Sequence, residues 1–212
     1  MRAIASFSGA AVDGVNNNDY QLAKLARYND EASLAHLCRG FKGDFMALDV
    51  PEATYDAAYE VEATCHAPDK QKAFEQIFRA IKPGGLFAGY EWCLTDRFDG
   101  SDPEHVRTKR AIEEGNSLPD IASVPDVRRA LEGAGFEVIE IADLALASDP
   151  TTPWYQPLKG DRMSATGLRR SIPGRFVTNR TVWLLESLKI APQGSGEVSD
   201  MLNRGADALI VG

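Results

Sequence analysis

Tyr55-Asp56-Ala57-Ala58-Tyr59-Glu60-Val61, then Ala73, Phe74, Ile77, Phe78 and Ile81, then Lys82-Pro83-Gly84-Gly85-Leu86-Phe87-Ala88-Gly89-Tyr90-Glu91-Trp92 decide the fold. The first run is rich in strand formers. The middle set recurs at helical spacing behind Asp69, an N-cap residue type. Lys82-Pro83-Gly84-Gly85 stops that helix, because proline and two glycines cannot continue it. Leu86 to Trp92 is apolar on both faces, as in a buried parallel strand. Strand, helix, strand is a right-handed crossover unit of an α/β sheet.

Outward from this unit the alternation continues. Ala10 to Val15 reads as a strand, and Asn16 to Asp19 supply caps for a helix, or two short ones, from Tyr20 through Leu37. Phe41 to Leu48 gives a second weak strand around Gly43-Asp44-Phe45. Helices are expected around Pro103–Glu114 and Asp126–Gly133, and Phe136 to Ile141 alternates as a further strand. Ser148 to Pro173 is rich in Pro, Gly, Ser and Thr and holds Trp154 and Tyr155. Two helical patterns close the chain, Phe176–Leu188 and Val198–Ile210. The expected organisation is a domain over 1–147 and a C-terminal segment over 148–212.

The 212 residues are 44% apolar and 25% charged, which is globular composition. A net charge of -8 argues against a nucleic-acid backbone as partner. Cys38, Cys65 and Cys93 form no disulfide framework, and no Cys or His pair has zinc spacing, so no metal is expected. No apolar run reaches the roughly 20 residues that span a bilayer. A peripheral membrane contact and self-association stay open.

Ligands of such sheets sit at the C-terminal ends of the strands. That rule selects Asn16–Asn18, Asp44-Phe45, Glu62–His66 and Tyr90–Asp96. Asn16 and Asn17 suit ribose hydroxyls or simple helix capping. The Asp44 carboxylate suits an adenine amino group, with the Phe45 amide for a ring nitrogen, or it belongs to a turn. Glu62 and His66 are two titratable groups near an apolar sheet, where burial is costly without function. Cys65 reads as packing, and Glu60 as a solvated sheet edge. Tyr90 and Trp92 around Glu91 suit a passing cation, or are core aromatics with a capping carboxylate.

The order and spacing of these blocks resemble the sterol C24-methyltransferase family. The specific blocks are Gly14–Gln21, Gly43–Met46, Glu62-Ala63-Thr64-Cys65-His66-Ala67-Pro68, Tyr90-Glu91-Trp92-Cys93-Leu94-Thr95-Asp96, Gly135–Val138, Pro153–Leu158 and Leu188–Ser195. The Cys93 and Ala191–Ser195 variants are similar to plant and algal members, whose substrate is typically cycloartenol. The resemblance implies a Rossmann-like class I methyltransferase sheet with a C-terminal helical sterol-methyltransferase segment. It implies S-adenosylmethionine as cofactor, at Asn16, Asn17, Asp44 and Phe45. It implies a catalytic set of Glu62, His66, Tyr90, Glu91 and Trp92 acting on a sterol side-chain alkene in sterol biosynthesis. The Trp154–Tyr155 insert is expected to help cover the sterol. The expected location is the cytoplasmic side of the endoplasmic reticulum or another sterol-containing membrane.

The family pattern also has a first strand with an Asp-x-Gly-Cys-Gly-type loop, between the Val12 and Tyr55 strands, and a final strand after Gly212. Neither is present, so an incomplete sheet is expected, with the helix Arg2–Gly9 as the nearest remnant ahead of Val12. Unpaired backbone in that gap would cost about 1–3 kcal/mol per group. A non-catalytic fragment that binds sterol or pairs with a full-length homologue is the alternative. A nicotinamide dehydrogenase would need a Gly-x-Gly-x-x-Gly turn, which the sequence lacks.

Overall fold

The computed structural model describes residues 1–146, 149, 151–160 and 165–212. The expected boundary between 147 and 148 lies outside the described residues. The chain forms two compact units, one of Met1–Tyr90 with Arg128–Glu137, the other of Glu91–Val127 with Val138–Gly212.

In the first unit, α1 (Arg2–Ser8) ends at Gly9, whose φ of 71° makes a left-handed cap. β1 (Val12–Asn16) and β2 (Cys38–Lys42) pair in parallel across α2 (Asp19–Glu31), from Val12 opposite Cys38 to Asn16 opposite Lys42. Asn18 caps α2, its side chain accepting the Gln21 N–H. Gly40 lets α2 lie close on the pair, since a Cβ there would stand 2.3 Å from Leu25 Cδ2. Asn29 is buried yet satisfied, donating from Nδ2 to the Cys38 carbonyl at 2.9 Å.

β3 (Tyr55–Val61) and β4 (Ile81–Tyr90) form a second parallel pair across α3 (Lys70–Ala80). Asp69 caps α3 through the Lys72 N–H, as its position implies. Phe74, 2% exposed, faces Phe87 at 6.0 Å between ring centroids; Phe87 meets Phe136 at 5.5 Å, and Phe136 meets Phe78 at 5.1 Å. This aromatic cluster fixes α3 on β4. The start of β3 is tied to β1 by Asp13, whose carboxylate accepts from Tyr55 Oη at 3.1 Å and from the Arg39 fork at 3.1 and 2.6 Å. Partial burial pushes the Tyr55 hydroxyl pKa up, and the bond to Asp13 adds to it.

Three local expectations need correction. β2 lies before Gly43 rather than around it, because Asp44–Ala47 forms a tight turn, with Asp44 Oδ1 accepting the Met46 N–H at 2.8 Å. α3 stops at Ala80, and Lys82–Gly85 already belong to β4, with a register shift opposite Tyr55–Ala57. Phe136–Ile141 is not a strand. A strand persists only where a neighbour completes its ladder; here only the Phe136 ring is anchored, and Ile139 is 80% exposed.

The second unit is helical: α4 (Pro103–Asn116), the start of α5 (Val124–Gly133), α6 (Gln156–Lys159), α7 (Ala165–Arg170), α8 (Ile172–Ser187) and α9 (Ser195–Val211). α9 crosses α4 where Gly205 meets Gly115. A Cβ on Gly205 would stand 2.8 Å from the Gly115 Cα, which is backbone and cannot swing aside. Gly205→Leu is therefore expected to cost about 1–3 kcal/mol by overpacking, read as a lower urea midpoint.

Candidate functional site

The candidate site lies at the C-terminal ends of the strands. Asn16 ends β1, and its carbonyl accepts the Gly43 N–H at 3.1 Å, which joins the β1 and β2 ends. The Asn16 side chain is engaged locally: Oδ1 accepts the Asn18 N–H at 2.8 Å and Nδ2 donates to Gln21 Oε1 at 2.7 Å. Asn16 thus holds the turn ahead of α2, whose cap is Asn18. Asn17 is exposed and makes no side-chain hydrogen bond among the described residues. Asp44 is exposed. One of its oxygens holds the turn, and the other oxygen and the Phe45 N–H have no hydrogen-bond partner among the described residues. An exposed carboxylate beside an open amide is the donor–acceptor set that an adenine edge requires.

The β3 end is more constrained. Glu62 has φ 53°, a left-handed conformation that a non-glycine residue adopts at a cost. Its peptide is pinned on both sides. Its N–H donates to the Tyr90 carbonyl at 2.8 Å, and its carbonyl accepts from Cys65 Sγ at 3.1 Å. Glu60 Oε2 accepts the Ala63 N–H at 2.7 Å and the Thr64 N–H at 3.4 Å, capping the turn Thr64–His66. Lys70 Nζ donates to the Thr64 carbonyl. Glu60 is therefore the brace of this turn, not a solvated edge. Its signal in the sequence is a carboxylate three and four residues ahead of the amides it caps.

The burial expected for Glu62 and His66 does not hold. Both are exposed, and the buried residues of the block are Thr64, Cys65 and Ala67. The turn swings the titratable side chains outward while the small ones pack. Cys65 packs, as expected, at 3% exposure. Tyr90, 46% exposed, ends β4 opposite Val61, so Glu62 and Tyr90 share one strand edge. Glu91 and Trp92 follow as the first residues of the second unit; Glu91 Oε1 accepts the Trp92 N–H at 3.0 Å, and Trp92 is half-buried. A groove of about 360 Å³ lined by Asp13, Arg39 and Tyr55 lies at the opposite, N-terminal ends of the strands and is no part of this site. Among the described residues no group of His, Cys, Asp or Glu could hold a metal.

Residues 1–89 match the family described as a methyltransferase domain, and residues 165–212 the family described as sterol methyltransferase C-terminal. Over 212 residues the chain is 44% identical to the cycloartenol-C-24-methyltransferase of Arabidopsis thaliana, covering 100% of this chain and 62% of that protein. Over its whole length this chain is similar to the sterol C24-methyltransferases. The sterol 24-C-methyltransferase ERG6 of Saccharomyces cerevisiae is another such relative, 42% identical over 218 residues, with 100% of this chain and 57% of the yeast protein covered. The chain thus spans about three fifths of the length of these sterol C24-methyltransferases. The fold is shared with the geranyl diphosphate C-methyltransferase of Streptomyces coelicolor A3(2), at a TM-score of 0.61 and 15% identity over 98% of this chain and 62% of that one. The class I methyltransferase fold expected from the sequence is thereby established, with parallel strand pairs and a C-terminal helical part.

Proposed function

We propose that this chain serves the transfer of a methyl group from S-adenosylmethionine to C24 of a sterol side-chain alkene, of the cycloartenol type. The observation that carries this reading is the 44% identity to a cycloartenol-C-24-methyltransferase along the whole chain, C-terminal segment included. The strand-end residues fit the cofactor: Asp44 and Phe45 for adenine, and Asn17 for ribose, with Asn16 holding the turn that presents it. Bound there, the cofactor supplies an electrophilic methyl group. The residues 1–147 are read as the methyltransferase part and 148–212 as the sterol-type segment.

Attack by the C24–C25 alkene forms the carbon–methyl bond at C24 as the sulfur–methyl bond breaks, its electron pair staying on the sulfur of the departing S-adenosylhomocysteine, and leaves positive charge at C25. A hydride then shifts from C24 to C25, which moves the charge to C24, and loss of a proton from an adjacent carbon closes a new alkene. The chain's task is to hold that cation in apolar surroundings without quenching it. The π faces of Tyr90 and Trp92 stabilise it, and Glu62 and Glu91 supply counter-charge or, with His66, accept the proton. The pinned backbone of Glu62 keeps its carboxylate at the strand edge beside Tyr90. Trp154 and Tyr155, packed edge to face at 5.6 Å with Lys159 Nζ 4.8 Å over the Tyr155 ring, help cover the sterol. Because sterols reside in bilayers, the protein works at the surface of a sterol-containing membrane. No helix among the described residues is long and apolar enough to cross one.

Incubation with methyl-labelled S-adenosylmethionine and cycloartenol tests the reading. Label in a C24-methylated sterol supports it; folded protein that binds both compounds without transfer contradicts it. Trp92→Ala is expected to lower turnover about tenfold, the weight of a desolvated cation–π contact, with cofactor affinity unchanged. Equal turnover in the two proteins would remove Trp92 from the role.

A further inference from the structure

α8 packs on α9 largely through polar contacts and leaves an apolar strip exposed. Its polar side chains face α9: Arg175 pairs with Asp207, Asn179 Nδ2 donates to Asp200 at 2.5 Å, and Trp183 Nε1 donates to Asp200 at 3.3 Å. Glu186 accepts the N–H groups of Gly194 and Gly196 at 2.8 and 2.7 Å, and these bonds, Gly196 first, hold its carboxyl below the usual range. At 100° per residue Val177, Arg180, Leu184 and Leu188 project from the other side, with Phe176 at its margin and the exposed Thr181 and Ser187 beside them. The four apolar members are 57–63% exposed. Four large apolar side chains left this exposed along one helix call for a cover.

Charge identifies that cover. Residues 165–190 hold five basic residues against one acidic, within a chain of net charge -8. The single acid, Glu186, is turned to the glycine amides. The exposed side therefore presents Arg180 at its centre and Lys189 beyond its end, with Arg169 exposed on α7, and no carboxylate. The Arg180 guanidinium carbon lies 5.3 Å over the exposed Phe176 ring and makes no ion pair among the described residues, so the positive charge sits on the apolar strip itself. α8 is only about 24 Å long and carries charges, so it lies along a bilayer and does not cross it.

We propose that this face of α8 is a lipid-docking surface, seated among the headgroups of an anionic bilayer with Phe176, Val177, Leu184 and Leu188 in the acyl boundary. The assignment rests on the peripheral-membrane part of the function proposed above and names the element that carries it.

The test is sedimentation of the 212-residue chain with vesicles of phosphatidylcholine alone and of phosphatidylcholine mixed with phosphatidylserine. Binding is expected to be tighter on the anionic vesicles and to weaken with salt. Phe176→Ser with Leu184→Ser is expected to weaken binding to both at least about tenfold. Arg180→Glu with Lys189→Glu is expected to abolish the preference for anionic vesicles while leaving helical content unchanged by circular dichroism. Failure of the wild-type chain to bind either vesicle would overturn the membrane reading as well as this surface. Tight binding by both double variants would overturn this surface alone. A wild-type dimer that the serine variant loses, without vesicle binding, would make a second copy the occupant and overturn the proposal.

Discussion

Phe74→Ala is expected to destabilise the first unit by about 3–5 kcal/mol, the cost of deleting a buried aromatic ring. Phe74 is 2% exposed and is the α3 residue that reaches Phe87 on β4, which in turn meets Phe136. Loss of the ring leaves a void between helix and strand that rigid backbone on both sides cannot close. Because β4 carries Tyr90 and receives the Glu62 N–H, the strand edge of the site depends on this contact. Urea unfolding followed by circular dichroism reads the change. Phe74→Leu should lose markedly less, since it keeps most of the volume. An unchanged midpoint for the alanine variant would mean that α3 is not held by this cluster.

Asp44→Ala is expected to weaken S-adenosylmethionine binding about 10- to 100-fold, the range for losing a hydrogen bond to a charged group. Two effects combine. The oxygen assigned to the adenine amino group is lost, and so is the Met46 cap that sets the turn presenting the Phe45 amide. Asp44→Asn separates them, since it retains an acceptor for the turn and loses the charge. Its affinity should fall between wild type and the alanine variant. Calorimetric titration of the three proteins makes the comparison; equal affinities would place the adenine elsewhere.

The β3–α3–β4 unit was legible because each signal is local. Tyr55–Val61 is a strand of the expected bounds, and Asp69 caps the expected helix. What escaped depends on partners. Phe136–Ile141 has the alternation of a strand, but alternation does not supply a ladder. Gly43-Asp44-Phe45 reads as strand in isolation, but Asp44 bonds its own backbone and folds a turn, so β2 ends at Lys42. The strand-end rule picks out segments that do end or follow strands, Asn16, Glu62 and Tyr90 among them, yet it cannot give side-chain direction. Burial was expected of Glu62 and His66, and the turn braced by Glu60 exposes them. The α8 periodicity showed a helix over Phe176–Leu188 and not which side meets α9. That choice is made by Asp200 and Asp207, far along the chain.

On the function proposed, the strand ends of this chain form a methyl-donor site. Titration of S-adenosylmethionine into the purified 212-residue chain, shown to be folded by circular dichroism, tests it most directly. Saturable micromolar binding, displaced by S-adenosylhomocysteine and weakened by Asp44→Ala, is the expected result. A folded chain that takes up no cofactor at any concentration reached would contradict the claim.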